Sequence, residues 1–147
     1  MRVREILAKK PSKVITVAPD AELRTAVRLL MEHGIGGLPV ATNGGAPIGF
    51  IAEREVVSAL DRYDGPIGHL RVEGVMRPLP ECKADDTIED VMSRMTRQRL
   101  RHLVVVDGGR IVGVISVGDL VRHRLEQLET ETGVLRDYVA AQRAARI

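Results

Sequence analysis

An internal repeat constrains the fold of this chain more than any other feature of its sequence. When residues 17–41 are set against residues 82–106, a shift of 65 positions, apolar residues fall on apolar residues. Residues 48–51 likewise match residues 112–115, after a turn that is one residue shorter in the second copy. Identities are few, but the chemical character agrees throughout. The matched positions are Leu23, Ala26, Val27 and Leu30 with Ile88, Val91, Met92 and Met95, and Leu38-Pro39-Val40 with Leu103-Val104-Val105.

Each copy begins with a predicted helix that buries one face. Apolar residues recur at i, i+3, i+4 and i+7, which is the period of an amphipathic helix. Asp20 and Asp85 stand three residues before these series, and we predict that they cap the helix N-termini. Gly34 is predicted to end the first helix, because glycine adopts the left-handed conformation of a C-terminal cap at little cost.

A predicted β-hairpin follows the first helix of each copy, and a second helix follows the hairpin. Two short apolar runs flank a glycine-rich turn, which is the pattern of two antiparallel strands. The turns are Asn43-Gly44-Gly45 and Asp107-Gly108-Gly109, and the second helices span residues 53–60 and the residues from Gly118 onward. Each copy is therefore predicted to fold as β-α-β-β-α, with a short extended segment first.

The two copies are predicted to form one compact α+β module. A unit of about 60 residues buries little surface by itself, so the copies should pack together about a pseudo-twofold axis and leave a cleft between them. A ligand is expected in that cleft. The predicted bounds are residues 1–62 for the first repeat, 63–71 for a linker, 72–126 for the second repeat and 127–147 for a C-terminal helical extension.

The last helix is longer than the repeat requires. Its apolar positions recur with alternating spacings of 3 and 4, which forms a seam of about three heptads. Polar residues and the helix-disfavouring Gly133 weaken the seam. Two interpretations stay open: a helix that pairs with a second copy in a homodimer, or a tail that folds back onto its own domain. The seam positions are Val121, Leu125, Leu128, Thr132, Leu135, Val139 and Gln142.

Composition argues against several classes of protein. The 22 lysines and arginines nearly balance 20 acidic residues, so a net charge of +2 gives no obvious basic stripe for nucleic acid. Two tyrosines and one phenylalanine are too few aromatic residues to stack successive bases. No apolar run reaches the roughly 18 residues of a membrane span, and the N-terminus lacks the apolar core of a signal peptide. A lone cysteine, Cys82, is consistent with a cytoplasmic location.

The turn after the second hairpin is the most informative candidate site. A strand is predicted to end at Ser116, and a helix begins two or three residues later. The free N–H groups of a helix N-terminus suit a phosphate, and Gly118 permits close approach of a ligand. Asp119 can accept hydrogen bonds from two ribose hydroxyls. The alternative interpretation is that Ser116 and Asp119 only cap the helix.

The duplicated pattern closely resembles a tandem pair of cystathionine-β-synthase (CBS) domains, often called a Bateman module. The first copy contributes Gly36-Gly37-Leu38-Pro39-Val40 and residues 48–51 to the resemblance. The second contributes residues 101–107 and 112–119, and the match covers about residues 3–126. The resemblance implies a binding module rather than an enzyme. Pairs of this family bind adenosine-containing ligands between the repeats, among them AMP, ADP, ATP, NAD(H) and S-adenosylmethionine.

The resemblance also implies roles for the second copy's turn. The family's motif is Ser or Thr, two residues, then Asp, which here is Ser116-Val117-Gly118-Asp119. Ser116 is therefore expected at the phosphate and Asp119 at the ribose, with Val117 and Gly118 between them.

Two further groups of residues in the second copy are implied by the same resemblance. Arg101 and His102 stand where the family often carries a basic pair that reaches phosphate. The alternative for this pair is a solvated helix end. The base is expected against the extended segment that precedes the first helix of this copy, which contains Pro80, Cys82 and Lys83.

The first copy departs from the family's pattern. Ala52 stands where Ser or Thr belongs, and Glu55 where Asp belongs. Gly36-Gly37 replaces the basic pair. One good nucleotide site per chain is therefore expected, framed by the second copy, with Arg54 as a phosphate contact from the first.

The predicted function is a non-catalytic regulatory module that binds an adenosine-containing nucleotide and signals to an unidentified effector protein. No catalytic constellation of acid, base and nucleophile can be named, and the four histidines show no spacing with Cys82 that is typical of zinc. The alternative is a ligand-free dimeric scaffold for protein–protein interaction. A nucleic-acid-associated protein is a more distant alternative.

Overall fold

The structure is a computed structural model that describes residues 1–11, 13–43 and 45–145. Within these ranges five helices and five strands follow one another, with a 3₁₀ turn at Val72–Gly74. In chain order they are α1 (Val3–Leu7), α2 (Leu23–His33), β1 (Gly37–Ala41), β2 (Pro47–Ala52), α3 (Glu53–Arg62), β3 (Glu81–Cys82), α4 (Ile88–Gln98), β4 (His102–Asp107), β5 (Arg110–Ser116) and α5 (Val117–Ala145).

Both copies contain the predicted hairpin. β1 pairs antiparallel with β2, and β4 pairs antiparallel with β5. Each hairpin carries an irregularity at the same place, directly after Val40 and directly after Val105. The extended segment before the first helix runs parallel to the hairpin, since Val17 bridges Val40 and Cys82 pairs with Val105. The predicted α+β class and repeat are confirmed, although Gly44 of the first turn lies outside the described residues.

The prediction of Asp20 and Asp85 as helix N-caps is wrong. Both residues lie in turns, and the helices begin two residues later than such caps require. α2 follows Glu22, which makes no side-chain cap, and α4 follows Thr87, whose hydroxyl accepts a hydrogen bond from the Asp90 N–H at 3.2 Å. The predicted end of α2 is confirmed, because Gly34 is left-handed with a φ of 59°.

The segment that begins each copy packs on the other copy. Helix α1 was not predicted, and the Val3 N–H donates to the Asp86 carbonyl at 3.0 Å. The 3₁₀ turn makes the matching contact, since the Val72 N–H donates to the Ala21 carbonyl at 2.9 Å. The two copies therefore exchange their leading segments, in keeping with a pseudo-twofold relation.

The exchange extends to the hydrophobic cores. Val3 and Ile6 are buried among residues of the second copy, and Val72 and Val75 among residues of the first. A third cluster joins the two hairpins where they meet, and its buried members are Phe50, Ala52 and Val104. The core of each copy therefore includes side chains from the leading segment of the other copy.

Helix α5 continues well past the second copy. Its seam residues are exposed, with Leu125 at 54%, Leu135 at 62% and Val139 at 40%. The described helix does not fold back onto its own domain, and residues 146–147 of the predicted extension lie outside the described part. Of the helices in residues 1–145, none combines the length and apolarity needed to cross a bilayer.

Candidate functional site

A cavity of about 680 Å³ opens between the two copies beside the second copy's turn. Its volume lies in the range of roughly 300–1,000 Å³ that small-molecule sites occupy. One wall comes from the segment after α1 and from the end of α2, and the other from β5 and the start of α5. The lining residues are 7, 8, 10, 11, 13–15 and 34–37 on the first side, and 102, 112–114, 116, 119 and 122 on the second.

Ser116 and Asp119 cap α5 reciprocally. The Asp119 N–H donates to the Ser116 hydroxyl at 3.2 Å, and the Ser116 N–H donates to Asp119 Oδ2 at 2.8 Å. This is the capping box of a helix N-terminus. The prediction that Ser116 and Asp119 cap the helix is therefore confirmed. The same geometry also fixes the carboxylate of Asp119, only 8% exposed, in the wall of the cavity.

A lysine that the sequence analysis did not single out holds this carboxylate. Lys10 Nζ lies 2.7 Å from Asp119 Oδ2 and donates to the Val114 carbonyl at 2.6 Å. Burial by itself would raise the pKa of Asp119, but hydrogen bonds from Lys10 and Ser116 outweigh it and hold that pKa below its usual value. The carboxylate is therefore ionised at neutral pH and can accept hydrogen bonds from hydroxyl groups.

His102 lines the cavity as a neutral ring. Burial lowers its pKa, and the positive charges of Arg77 and Lys10 lower it further. The ring lies 5.5 Å from the Phe50 ring, centroid to centroid, and so close to Gly36 that a Cβ there would be 3.2 Å from Cε1. In the described chain its buried Nδ1 has no hydrogen-bond partner. This residue therefore forms a wall of the site and does not act as a cation.

The first copy repeats the arrangement with different residues. Glu55 is 7% exposed, and its Oε2 accepts from the Ala52 N–H at 2.9 Å. Its other oxygen lies 3.4 Å from Arg77 Nε, and the Arg77 guanidinium covers the Phe50 ring at 5.2 Å. In both copies a basic residue from the exchanged segment thus pairs with the carboxylate in the first turn of the second helix.

Four other predicted residues do not line the cavity. Arg101 and Arg54 are exposed, and the Arg101 carbonyl accepts a hydrogen bond from the Val117 N–H at 2.9 Å. Val117 instead lines a groove between α4 and α5. Gly118 leaves room beside the turn, because a Cβ there would have only the Ser116 hydroxyl within 4 Å, at 3.5 Å.

The segment expected to receive the base also lies away from this cavity. Pro80 is buried, and its carbonyl accepts from the Val104 N–H at 2.7 Å. Cys82 belongs to the core of the second copy, where burial raises the pKa of its thiol to about 12, so the thiol is unreactive at neutral pH. Lys83 is exposed.

Metal binding has no support in the part of the chain that the structure describes. Residues 1–11, 13–43 and 45–145 contain no group of three or more His, Cys, Asp or Glu side chains placed to hold an ion.

Comparison with protein families gives two matches that follow the repeat. The model of the CBS domain matches residues 3–62 and matches again at residues 72–126. The chain belongs to the CBS-domain family. Its two copies are a tandem CBS pair, and CBS-domain proteins are in general regulatory.

Comparison with individual proteins identifies relatives of this CBS pair by sequence and by structure. An uncharacterized protein of Methanocaldococcus jannaschii is 30% identical over 121 residues, which is 82% of this chain and 41% of that protein. The chain thus spans less than half the length of that relative. A CBS-domain protein of Agrobacterium tumefaciens has a crystal structure with a TM-score of 0.79, 32% identity and coverage of 84% of this chain and 92% of that one.

A third relative has been solved with ligands. The CBS-domain pair of another protein, in complex with 5′-methylthioadenosine and S-adenosyl-L-methionine, has a TM-score of 0.76. It is 22% identical, and the match covers 86% of this chain and 98% of that one. At this identity the similarity shows the fold alone.

The position of the first copy's extended segment explains which cavity residues the sequence did not predict. The counterpart of Pro80 at the shift of 65 is Ile15, and Ile15 lines the cavity together with Lys13 and Val14. The extended segment of one CBS copy therefore faces the turn of the other copy. The repeat alignment contained this signal, but only if the extended segment of the first copy is set against the turn of the second copy.

Proposed function

We propose that this CBS pair is a non-catalytic regulatory module that binds an adenosine-containing nucleotide in the cavity between its copies. The observation that carries the proposal is the buried, ionised carboxylate of Asp119 in the wall of a cavity of about 680 Å³. A carboxylate fixed by its neighbours is a good acceptor for the paired hydroxyls of a ribose. Ser116, beside it at the start of α5, is placed to contact a phosphate.

The ligand class draws support from the relative solved with 5′-methylthioadenosine and S-adenosyl-L-methionine, both of which carry adenosine. In this chain the apolar side chains of Val14 and Ile15, which face the turn across the cavity, offer a surface for the base. The proposed ligands are AMP, ADP, ATP, NAD(H) or S-adenosylmethionine.

The proposed mechanism is a shift between arrangements of the two copies. The cavity wall contains residues 34–37 of the first copy and 112–114 of the second. A ligand that touches both copies favours the arrangement that it binds more tightly, by the difference in binding free energy. The signal then passes to an effector protein, and the single cysteine of this chain agrees with a cytoplasmic setting.

Thermal unfolding with and without millimolar AMP tests the proposal. A ligand at about 100 times its dissociation constant adds about 2.7 kcal/mol to the native state, which raises the unfolding midpoint by several degrees. Asp119→Asn should lose this increase, because an amide no longer provides two acceptor oxygens to the ribose. Glu55→Gln is the matched control in the first copy, and it should keep the increase.

The outcomes separate two functions. An increase in the wild type and in Glu55→Gln, but not in Asp119→Asn, supports the nucleotide module. If AMP, ATP, NADH and S-adenosylmethionine all leave the midpoint unchanged, the chain is instead a ligand-free scaffold. The exposed seam of α5 favours that second candidate, and it is also the surface through which we propose that the chain forms a homodimer.

A further inference from the structure

We infer that the cavity selects adenosine ligands that carry phosphate over uncharged or cationic ones, through Lys10, Lys13 and Arg122. The inference rests on the proposed function, since it concerns which ligand the same cavity takes. It narrows the five proposed ligands to the nucleotides and sets this chain apart from the relative solved with S-adenosyl-L-methionine.

The charges of the cavity wall are unequal. Three cationic side chains line the described cavity, namely Lys10, Lys13 and Arg122, and Asp119 is the one acidic residue among the lining residues. His102 adds no charge at neutral pH, because burial lowers its pKa. The lining therefore has an excess of positive charge, which attracts an anionic ligand.

Lys10 is a fixed cation in this wall. Its ammonium group donates to the Val114 carbonyl at 2.6 Å and to Asp119 Oδ2 at 2.7 Å. An ammonium group has three donors, so one remains for a ligand while the other two hold the side chain in place. The Lys10 side chain is 31% exposed and lines the cavity, so a ligand there can approach the ammonium group.

Lys13 and Arg122 are movable cations at the rim. Lys13 is exposed and takes part in no ion pair within the described residues. The Arg122 side chain is 68% exposed, and its Nη1 lies 3.4 Å from Asp119 Oδ1. This long contact is weak, so ribose hydroxyls can replace Arg122 at Oδ1 and leave the guanidinium for phosphate.

Ligand charge distinguishes the candidates. Adenosine and 5′-methylthioadenosine carry no charge, and S-adenosylmethionine carries a sulfonium in addition to its amino-acid group. The ribose of each of these ligands can bind Asp119 in the same way as the ribose of AMP. Adenosine and 5′-methylthioadenosine offer no anion to the three cations. S-adenosylmethionine offers one carboxylate, but its ammonium and sulfonium groups give it a net positive charge that the cations repel.

Calorimetric titration of the whole chain with AMP, adenosine and S-adenosylmethionine tests this selection. One charge-assisted contact changes affinity by about tenfold or more, so AMP should bind at least about tenfold tighter than adenosine, and S-adenosylmethionine more weakly than either. Raising the salt concentration should weaken AMP and leave adenosine unchanged. Equal affinity for AMP and adenosine overturns the selection while the proposed function stands, whereas no binding of any of the three, nor of ATP or NADH, overturns both.

Substitutions assign the effect to the named cations. Lys13→Met and Arg122→Met should each weaken AMP by about three- to tenfold without changing the affinity for adenosine. Lys9→Met is the matched control, because Lys9 precedes Lys10, pairs with Glu126 at 3.0 Å and does not line this cavity. Both side chains at the rim are exposed, so the variants should fold. An equal loss in Lys9→Met, or no loss in the two rim variants, overturns the assignment.

Discussion

Asp119 has two roles at the candidate site. Asp119 caps α5 through the Ser116 N–H and also presents its carboxylate to the cavity. Lys10 supplies the counter-charge that allows this carboxylate to stay ionised while it is buried. In the first copy Glu55 has the cap and the counter-charge of Arg77, but no hydroxyl precedes it at Ala52. Both copies therefore pair the carboxylate in the first turn of the second helix with a basic residue. Only the second copy has a hydroxyl group, that of Ser116, before that carboxylate.

Between about pH 7.5 and 5.5, we expect His102 to make the free energy of unfolding depend on pH. The folded protein keeps the pKa of this ring below 6.5, so below about pH 6.5 the unfolded chain binds a proton that the folded chain resists. The free energy of unfolding should therefore fall as the pH is lowered through that region. Urea unfolding of His102→Gln between about pH 7.5 and 5.5 should show a shallower dependence than the wild type.

An exposed histidine provides the control for that measurement. His69→Gln should keep the slope of the wild type, because His69 is exposed. If His102→Gln and the wild type lose stability in parallel as the pH falls, another group is responsible for the dependence.

At the scale of elements, each hairpin is shaped to receive the other copy's leading segment. The second strand of each hairpin has a glycine at the contact, Gly49 against Met76 and Gly113 against Leu7. A Cβ at Gly49 would also lie 3.0 Å from the Arg77 carbonyl, whereas the three atoms nearest to a Cβ at Gly113 all belong to the Leu7 side chain. The matching glycines thus mark the docking position of the exchanged segment in both copies.

Alanine at these two glycines should have unequal effects. Gly49→Ala should lower the free energy of unfolding by about 1–3 kcal/mol, because the Arg77 backbone cannot move aside without breaking its bonds to Phe50. Gly113→Ala should cost less than about 1 kcal/mol, since the Leu7 side chain can turn away. Gly74→Ala is the control, with nothing within 4 Å of its Cβ. Equal costs at Gly49 and Gly113, measured in urea, would show that the backbone contact is unimportant.

Most helices and strands could be predicted from the sequence, but the contacts between the two copies could not. Periodicity and turn residues locate both hairpins and α2, because these depend on neighbours in the chain. The helix α1 depends instead on contacts with the other copy, because the Val3 and Arg4 N–H groups donate to the Asp86 and Ala84 carbonyls. Lys10 lies 109 residues from Asp119, and nothing local in the sequence connects the two. The turn at Ser116 and Asp119 could be singled out because a strand, a turn and a helix follow one another directly there, but the ligand-binding roles predicted for these residues came from the CBS resemblance.

For the whole molecule, α5 is the feature that the CBS pair alone does not explain. The helix spans Val117–Ala145 and presents an apolar seam with no partner among the described residues. A groove of about 240 Å³ between α4 and α5 continues this apolar surface toward the second copy, and Leu125 lines it. A second chain that covers the seam would remove this surface from water.

Lysine in the seam should therefore dissociate the proposed homodimer. Leu128→Lys and Leu135→Lys introduce a charge at residues that are 43% and 62% exposed, so each chain should still fold. Sedimentation equilibrium should give a dimer for the wild type and a monomer for both variants. Thr130→Lys adds the same charge on the opposite face of α5 and should remain dimeric. A wild type that is monomeric at all concentrations would rule out the homodimer.

The exchange of leading segments also determines what a break in the chain would do. Residues 63–71 connect two halves, and each half contains a buried part of the other's core, such as Val3 in one direction and Val72 in the other. A cut in this connection would leave two fragments with incomplete interiors, which become ordered only on meeting. The two halves of the molecule thus complement each other, and residues 63–71 keep each half at a high effective concentration near the other. The two halves should therefore fold and unfold together.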